Sequence, residues 1–321
     1  MQASPKPQPP DAITDVSSGR RINLLDWKSA NIRYSFVLAL FMMALLAAIG
    51  YIVGLIVEPA AAVIFVAIAV GIAGVQSFVA YWYSDKIALA AAGARRATRE
   101  EHRYLVNVSE AVAIGAGIPA PRIYVIDSPA PNAFATGRNP QHAAVAVTTG
   151  LMNRLDRQEL EGVVAHEIAH IRNYDMLFLS MITATIGAIL LLRDLFLRSM
   201  FYGGRMRRSG RGGGRGSGQA AILVLLIVLL ILAPILAMLL RFAVSRRREY
   251  LADATGAYIT RNPEGLARAL EKIKNYRGEN LKVSEGVRHM LFTNPISKLN
   301  ANTLFATHPP IDERISRLRR M

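Results

Sequence analysis

The chain contains no cysteine. Disulfide staples and thiolate ligands are excluded, so any bound metal must be held by histidine and carboxylate side chains. Charge is sparse: Asp, Glu, Lys and Arg make up 19% of the 321 residues, below the roughly 25% of an ordinary soluble domain. Acidic residues are the scarcer sign, 23 against 38 basic ones, leaving a formal charge of +15. Histidine is rare as well, with six copies, which makes a defined histidine spacing informative.

Apolar sequence takes the place of charge, with 52% hydrophobic residues and a positive mean hydropathy. That is too apolar for a soluble enzyme of this length and implies membrane segments. Beside long apolar runs, a basic excess fits the positive-inside bias and attraction to anionic lipid, so membrane lipid is an expected partner and no specific nucleic acid is.

Four runs approach the length needed to cross a hydrocarbon core of ~30 Å: residues 36–57, 59–84, 176–192 and 220–240. Only Glu58 separates the first two, which predicts a tight hairpin with Tyr81, Trp82 and Tyr83 as an interfacial belt. The third run, 17 residues ending before Arg193 and Asp194, is short enough to be a buried or re-entrant helix instead. Residues 1–34, with Pro5, Pro7, Pro9 and Pro10, read as a disordered Pro-rich tail. A long polar lead before an apolar run of 22 residues predicts an uncleaved anchor rather than a signal peptide.

Arg20, Arg21, Lys28 and Arg33 precede the first span, and Lys86, Arg95, Arg96, Arg99 and Arg103 follow the second. Both flanks then face the cytoplasm. Residues 203–218 carry Arg205, Arg207, Arg208, Arg211 and Arg215 among eight glycines, and two full crossings by the later runs would put this loop outside, against the rule. The stretch reads as a flexible linker on phospholipid headgroups rather than an RNA-binding tract.

Residues 85–175 and 241–321 are the remaining polar sequence, expected to fold together as one domain interrupted by the second hydrophobic hairpin, 176–240. A helix is predicted over 97–115, ended by Gly115 and Gly117 with Pro119 beyond. Segments 122–127, 132–136 and 143–148 read as short strands, and the second piece reads as helical throughout. The predicted fold class is α+β: a mainly helical domain with a small β-sheet, attached to about four transmembrane helices.

Asp156 and Glu159 form a candidate capping box that opens an amphipathic helix through Leu160, Val163, Val164 and Ile168. His166, Glu167 and His170 fall inside it. Spacing of i and i+4 puts both imidazoles on one face, one turn apart, where they can share a metal. Glu167 beside the first histidine can reach a metal-activated water as general base, the pattern of zinc-dependent hydrolases.

A catalytic zinc needs a third protein ligand and an open position. His102, His142, His289 and His308 are available, and so is the carboxylate pair of Glu249-Tyr-Leu-Ala-Asp253, which shares one helix face. Glu249 is assigned as the ligand, with Asp253 orienting a ligand histidine through its other ring nitrogen. Taken alone, after Arg246, Arg247 and Arg248, the pair also fits a solvated, charge-paired face.

Pro131-Asn-Ala-Phe-Ala-Thr-Gly137, His166-Glu-Ile-Ala-His170, Glu249-Tyr-Leu-Ala-Asp253 and Thr307-His-Pro-Pro310 with Glu313-Arg314 occur in this order, with a hydrophobic hairpin between the second and third. Together they resemble the peptidase family that contains the HtpX membrane proteases and, more distantly, the CAAX prenyl proteases, over about residues 35–321. The Pro-rich leader and the Arg/Gly-rich insert depart from the family pattern.

The resemblance implies a zincin-like metalloprotease with one Zn2+, held by His166, His170 and Glu249. It further implies that Asn132, on an edge strand, holds the substrate backbone, that His308 donates to the developing oxyanion, and that Arg314 lies near the active site, grouped here with Asn132 as substrate-binding. Beside Asp312 and Glu313, Arg314 also fits a helix-surface ion pair. The implied function is membrane-protein quality control at the cytoplasmic (inner) membrane of a bacterium, with protein or peptide substrates. A processing protease with one substrate and a catalytically silent scaffold that binds peptide or zinc are the alternatives, the scaffold having no need of Glu167.

The orientation is testable because the chain has no native thiol. A cysteine at Ser284 is expected to react with a membrane-impermeant thiol reagent only after lysis, whereas labelling there in intact cells would overturn the orientation. Labelling at Ser209 from outside would indicate two full crossings between His170 and Arg241.

Overall fold

The computed structural model describes residues 12–14, 21–179, 181, 246–278, 281, 291–292 and 309–321. The loop 203–218, the fourth apolar run, most of the third, and both His289 and His308 lie outside the described residues.

Strands β1 (Ala12–Thr14) and β2 (Arg21–Asn23) pair antiparallel ahead of helix α1 (Leu24–Val57). The boundary of the expected disordered tail at residue 34 thus falls inside α1, which starts at Leu24. A turn at Glu58 and a 3-10 segment, Pro59–Ala61, lead into α2 (Ala62–Ala91). At 1.5 Å per residue the two helices are about 51 and 45 Å long, more than the ~30 Å apolar slab requires. Within their apolar stretches Phe36, Leu40, Val63, Ile64, Val75 and Phe78 are exposed, an outward apolar surface that suits lipid. Both are long and apolar enough to cross a membrane, and they are the two such helices among the described residues.

The surplus length at the polar ends is used for packing. The last turns of α2 bury Ala88 and Leu89 against Ile126, Phe134, Ala144 and Ala146 of the sheet, while Asp85 accepts a 2.6 Å ion-paired hydrogen bond from Arg122. Trp82 in the expected belt lies under the Arg138 guanidinium at 4.3 Å.

Four strands follow the order β3-β4-β6-β5, with β3 at Arg95–Arg96, β4 at Arg122–Ile126, β5 at Ala133–Gly137 and β6 at Ala143–Thr148. The β4–β6 pair is parallel and the other two are antiparallel, so β5 is an edge strand of a mixed sheet. Between β3 and β4, α3 (Arg99–Ala116) runs through Gly115 and ends at Gly117, whose φ of 69° closes the cap. Gly115 is therefore inside the helix rather than its terminator.

After α4 (Thr149–Met152), α5 (Arg157–Arg172) begins with the capping box read from sequence. The Asp156 carboxylate accepts from the Glu159 N–H at 3.0 Å and Glu159 accepts from the Asp156 N–H at 2.8 Å. Instead of one wet and one dry face, α5 is buried on nearly all sides, from Leu160 to Ile171. It packs against α3, β5, α6 (Arg246–Thr260) and α7 (Pro263–Lys274). The chain closes with α8 (Ile311–Leu318). The described part of the second polar piece is not helical throughout, since Tyr276, Arg277, Leu281, Leu291 and Phe292 are irregular.

Small residues make this crowding possible. A Cβ on Gly162 would stand 2.7 Å from the Leu266 nitrogen, so α7 lies directly on the α5 backbone. Gly162→Ala is expected to lower stability by about 1–3 kcal/mol through overpacking, against the ~1 kcal/mol gain that alanine gives an exposed helix. A thermal melt no lower than that of the parent would show that the two helices can part freely.

Candidate metal centre

Helix α5 presents His166 and His170 one turn apart, as their spacing requires, and α6 crosses it at Gly256. A Cβ there would meet the His166 nitrogen at 3.0 Å, so the absent side chain lets Glu249 and Asp253, on the same helix, face the histidines. The two Nε2 atoms are 3.2 Å apart. Glu249 Oε2 lies 3.7 Å from the His166 Nε2 and Oε1 lies 3.7 Å from the His170 Nε2.

Each Nδ1 is committed to a carboxylate, which aims Nε2 at the common point. His166 Nδ1 is 2.9 Å from Asp253 Oδ1, and His170 Nδ1 is 3.0 Å from Asp175 Oδ2. Arg314 holds Asp253 in a two-pronged grip, Nε to Oδ2 at 2.9 Å and Nη2 to Oδ1 at 2.7 Å. At 1% exposure, Arg314 is not a surface partner of Asp312 and Glu313; it is buried behind His166.

Burial sets the electrostatics. It pulls His166 down to about 4 despite the Asp253 hydrogen bond, keeping a neutral ring. It pushes Glu167 up to about 7, opposed by His170 and reinforced by Glu249. For His170 burial also disfavours charge, yet the hydrogen bond to Asp175 and the charges of Glu249 and Glu167 outweigh it and raise the ring to about 9. Asp253 stays below the usual carboxylate range, because the Arg314 charge and the bonds to His166 and Arg314 overcome burial.

These groups fit a metal. With metal–nitrogen bonds near 2.05 Å, the edge of a tetrahedron is roughly 3.3 Å, close to the observed Nε2 separation. Glu167, Asp175, Glu249 and Asp253 are buried around two buried guanidinium groups, Arg248 and Arg314, an excess of carboxylates that suits a cation. Metal ligation takes neutral imidazoles, so a cation replaces the proton that His170 otherwise attracts.

Glu167 accepts a hydrogen bond from the Ala135 N–H of β5, which places the general-base candidate between the ligand cluster and the sheet edge. Asn132 precedes β5 and is buried. Its side chain accepts from the Ala133 N–H at 3.0 Å, and its backbone exchanges hydrogen bonds with Thr148. Since Asn132 O faces β6, Ala133 O faces away from it, and there it accepts the Phe292 N–H at 2.8 Å. The Phe292 ring stands edge-on to His166 at 5.0 Å.

His102 and His142 are outside this constellation, the first against Arg95 and the second against Asn139. Sequence reasoning missed Asp175, Arg248 and Phe292. For Asp175 a signal existed, a lone carboxylate five residues after His170 at the mouth of an apolar run.

A mainly helical fold, a small mixed sheet and a His-Glu-x-x-His helix whose two histidines converge with Glu249 of a second helix fit a metallopeptidase. The chain belongs to peptidase family M48, whose model matches residues 99–321. It is similar to the protease HtpX homolog of Caldanaerobacter subterraneus subsp. tengcongensis, 45% identical over 92% of this chain and 97% of the relative. The protease HtpX homolog of Thermoanaerobacter pseudethanolicus is 43% identical over 93% and 98%. The crystal structure of Ste24p from S. mikatae superposes with a TM-score of 0.46 at 19% identity, covering 92% of this chain and 67% of that one.

Purified protein is expected to hold about one divalent metal per chain by elemental analysis. Glu249→Ala should lose it and His102→Ala should keep it; the reverse pattern would move the third ligand elsewhere.

Proposed function

We propose that this metallopeptidase is a membrane-anchored zinc endopeptidase that cuts damaged or misassembled membrane proteins from the cytoplasmic side of the inner membrane. The observation that supports it best is the convergence of His166, His170 and Glu249, whose ligand atoms lie within 4.8 Å of one another, beside Glu167 and an edge strand. The two long apolar helices and their basic flanks support the membrane setting, and the apolar third and fourth runs would complete a multi-pass anchor of about four helices.

Zinc, when bound, supplies Lewis acidity toward the scissile carbonyl and lowers the pKa of water towards ~7. The chain's own residues do the rest. Glu167 takes the proton from the attacking water and delivers it to the leaving nitrogen, without a covalent acyl-enzyme. Its buried setting between Glu249 and the Ala135 N–H suits a group that is protonated and deprotonated in each cycle. Asn132 helps hold the substrate backbone by bracing the start of β5, whose edge beyond Phe292 takes an extended substrate through main-chain hydrogen bonds, and His308 donates to the developing oxyanion. Asp253 orients His166, and Arg314 serves the site through Asp253.

The test is hydrolysis of an unfolded substrate such as casein by metal-loaded protein beside Glu167→Gln. The variant is expected to keep its metal and fold while turnover falls at least ~100-fold. Cleavage at the parental rate would sink the general-base assignment, and no cleavage by the parent protein of any unfolded or membrane substrate would favour a binding-only scaffold.

A further inference from the structure

We propose that Asn31, at the polar end of membrane helix α1, is a positioning residue for His170 that acts through Asp175. This rests on the reading of His166, His170 and Glu249 as the metal centre. The two histidines are oriented by matching devices with different anchors. Behind His166, Asp253 is held by Arg314, both from the C-terminal piece of the protease domain. Behind His170, Asp175 is held by a side chain 144 positions earlier in the chain: Asn31 Nδ2 donates to Asp175 Oδ1 at 2.6 Å.

The same amide nitrogen donates to the Asn173 carbonyl at 3.0 Å. Both partners are acceptors, so only the NH2 side of the amide fits and its orientation is determined. The two bonds bracket Tyr174, whose φ of 60° is a left-handed conformation uncommon outside glycine. That residue turns the chain after α5 so that Asp175 points back at His170, and Asn31 pins the backbone on one side of the turn and the carboxylate on the other.

Asn31 is 2% exposed and Asp175 is fully buried, so water cannot substitute for the lost donor. Arg248, buried nearby, adds its charge to Asp175, and Asn31 brings a hydrogen bond from α1. In this arrangement the membrane hairpin is part of the metal site, and displacing α1 would release His170.

The test is zinc affinity of the full-length protein in detergent, measured by competition with a chromophoric chelator. Asn31→Ala and Asp175→Ala are each expected to weaken zinc about 10- to 100-fold, and the double variant should be no weaker than Asp175→Ala alone, because one residue acts through the other. Asn31→Asp, of equal size but facing a like charge, should weaken zinc at least as much as Asn31→Ala, and it is read in its place if the alanine variant does not fold. Ser35→Ala removes the hydrogen bond from Ser35 Oγ to the Asn31 carbonyl without touching Asp175 and should leave affinity unchanged, separating this role from general loosening of α1. Parental affinity in both Asn31 variants, or additive losses in the double variant, overturns the inference. Stoichiometric zinc in His170→Ala would instead overturn the metal-centre reading itself.

Discussion

Burial of α5 is the constraint from which the rest follows. A helix that carries two histidines and a glutamate through the middle of the core takes polar groups out of water, and each would cost several kcal/mol if left without a partner. The fold answers with reciprocal pairs: His166 with Asp253, Asp253 with Arg314, His170 with Asp175, Asp175 with Asn31. The pairing leaves both Nε2 atoms directed at one point beside Glu249. Dryness therefore builds the ligand geometry, because no side chain in the cluster can turn away without stranding its neighbour.

The same burial requires close helix approach, and the backbone supplies it where side chains are small. Gly256 lets α6 cross at His166, and Gly162 lets α7 lie on the opposite side of α5. The sheet contributes its edge strand rather than its face. Glu167 reaches the Ala135 N–H of β5, and Phe292 occupies the neighbouring outward carbonyl. The catalytic glutamate candidate, the edge strand and Phe292 are thereby held in one frame.

The apolar hairpin joins that frame at two places. The end of α2 packs on the sheet through Ala88 and Leu89, and the start of α1 reaches the turn after α5. Two apolar helices longer than a bilayer is thick thus carry polar residues to the protease domain at their ends.

What the sequence determined by itself was local. The i, i+4 histidines, the Asp156–Glu159 capping box, the three core strands and the apolar hairpin are readable because each rests on spacing within a few residues or on composition along one run. The carboxylate pair of Glu249 and Asp253 was legible as a shared helix face, although its meaning came from resemblance. Only the tertiary structure decided what depends on contacts between distant segments. Arg314, read as substrate-binding by resemblance and as a surface ion-pair residue from its neighbours, is the buried partner of Asp253; Asn31 lay in a stretch read as tail and bonds to Asp175; α5 is buried on nearly all sides beyond its first turn although its pattern looked amphipathic. In each case the deciding quantity is the burial of a polar group beside a partner tens to hundreds of residues away, and no local periodicity encodes that.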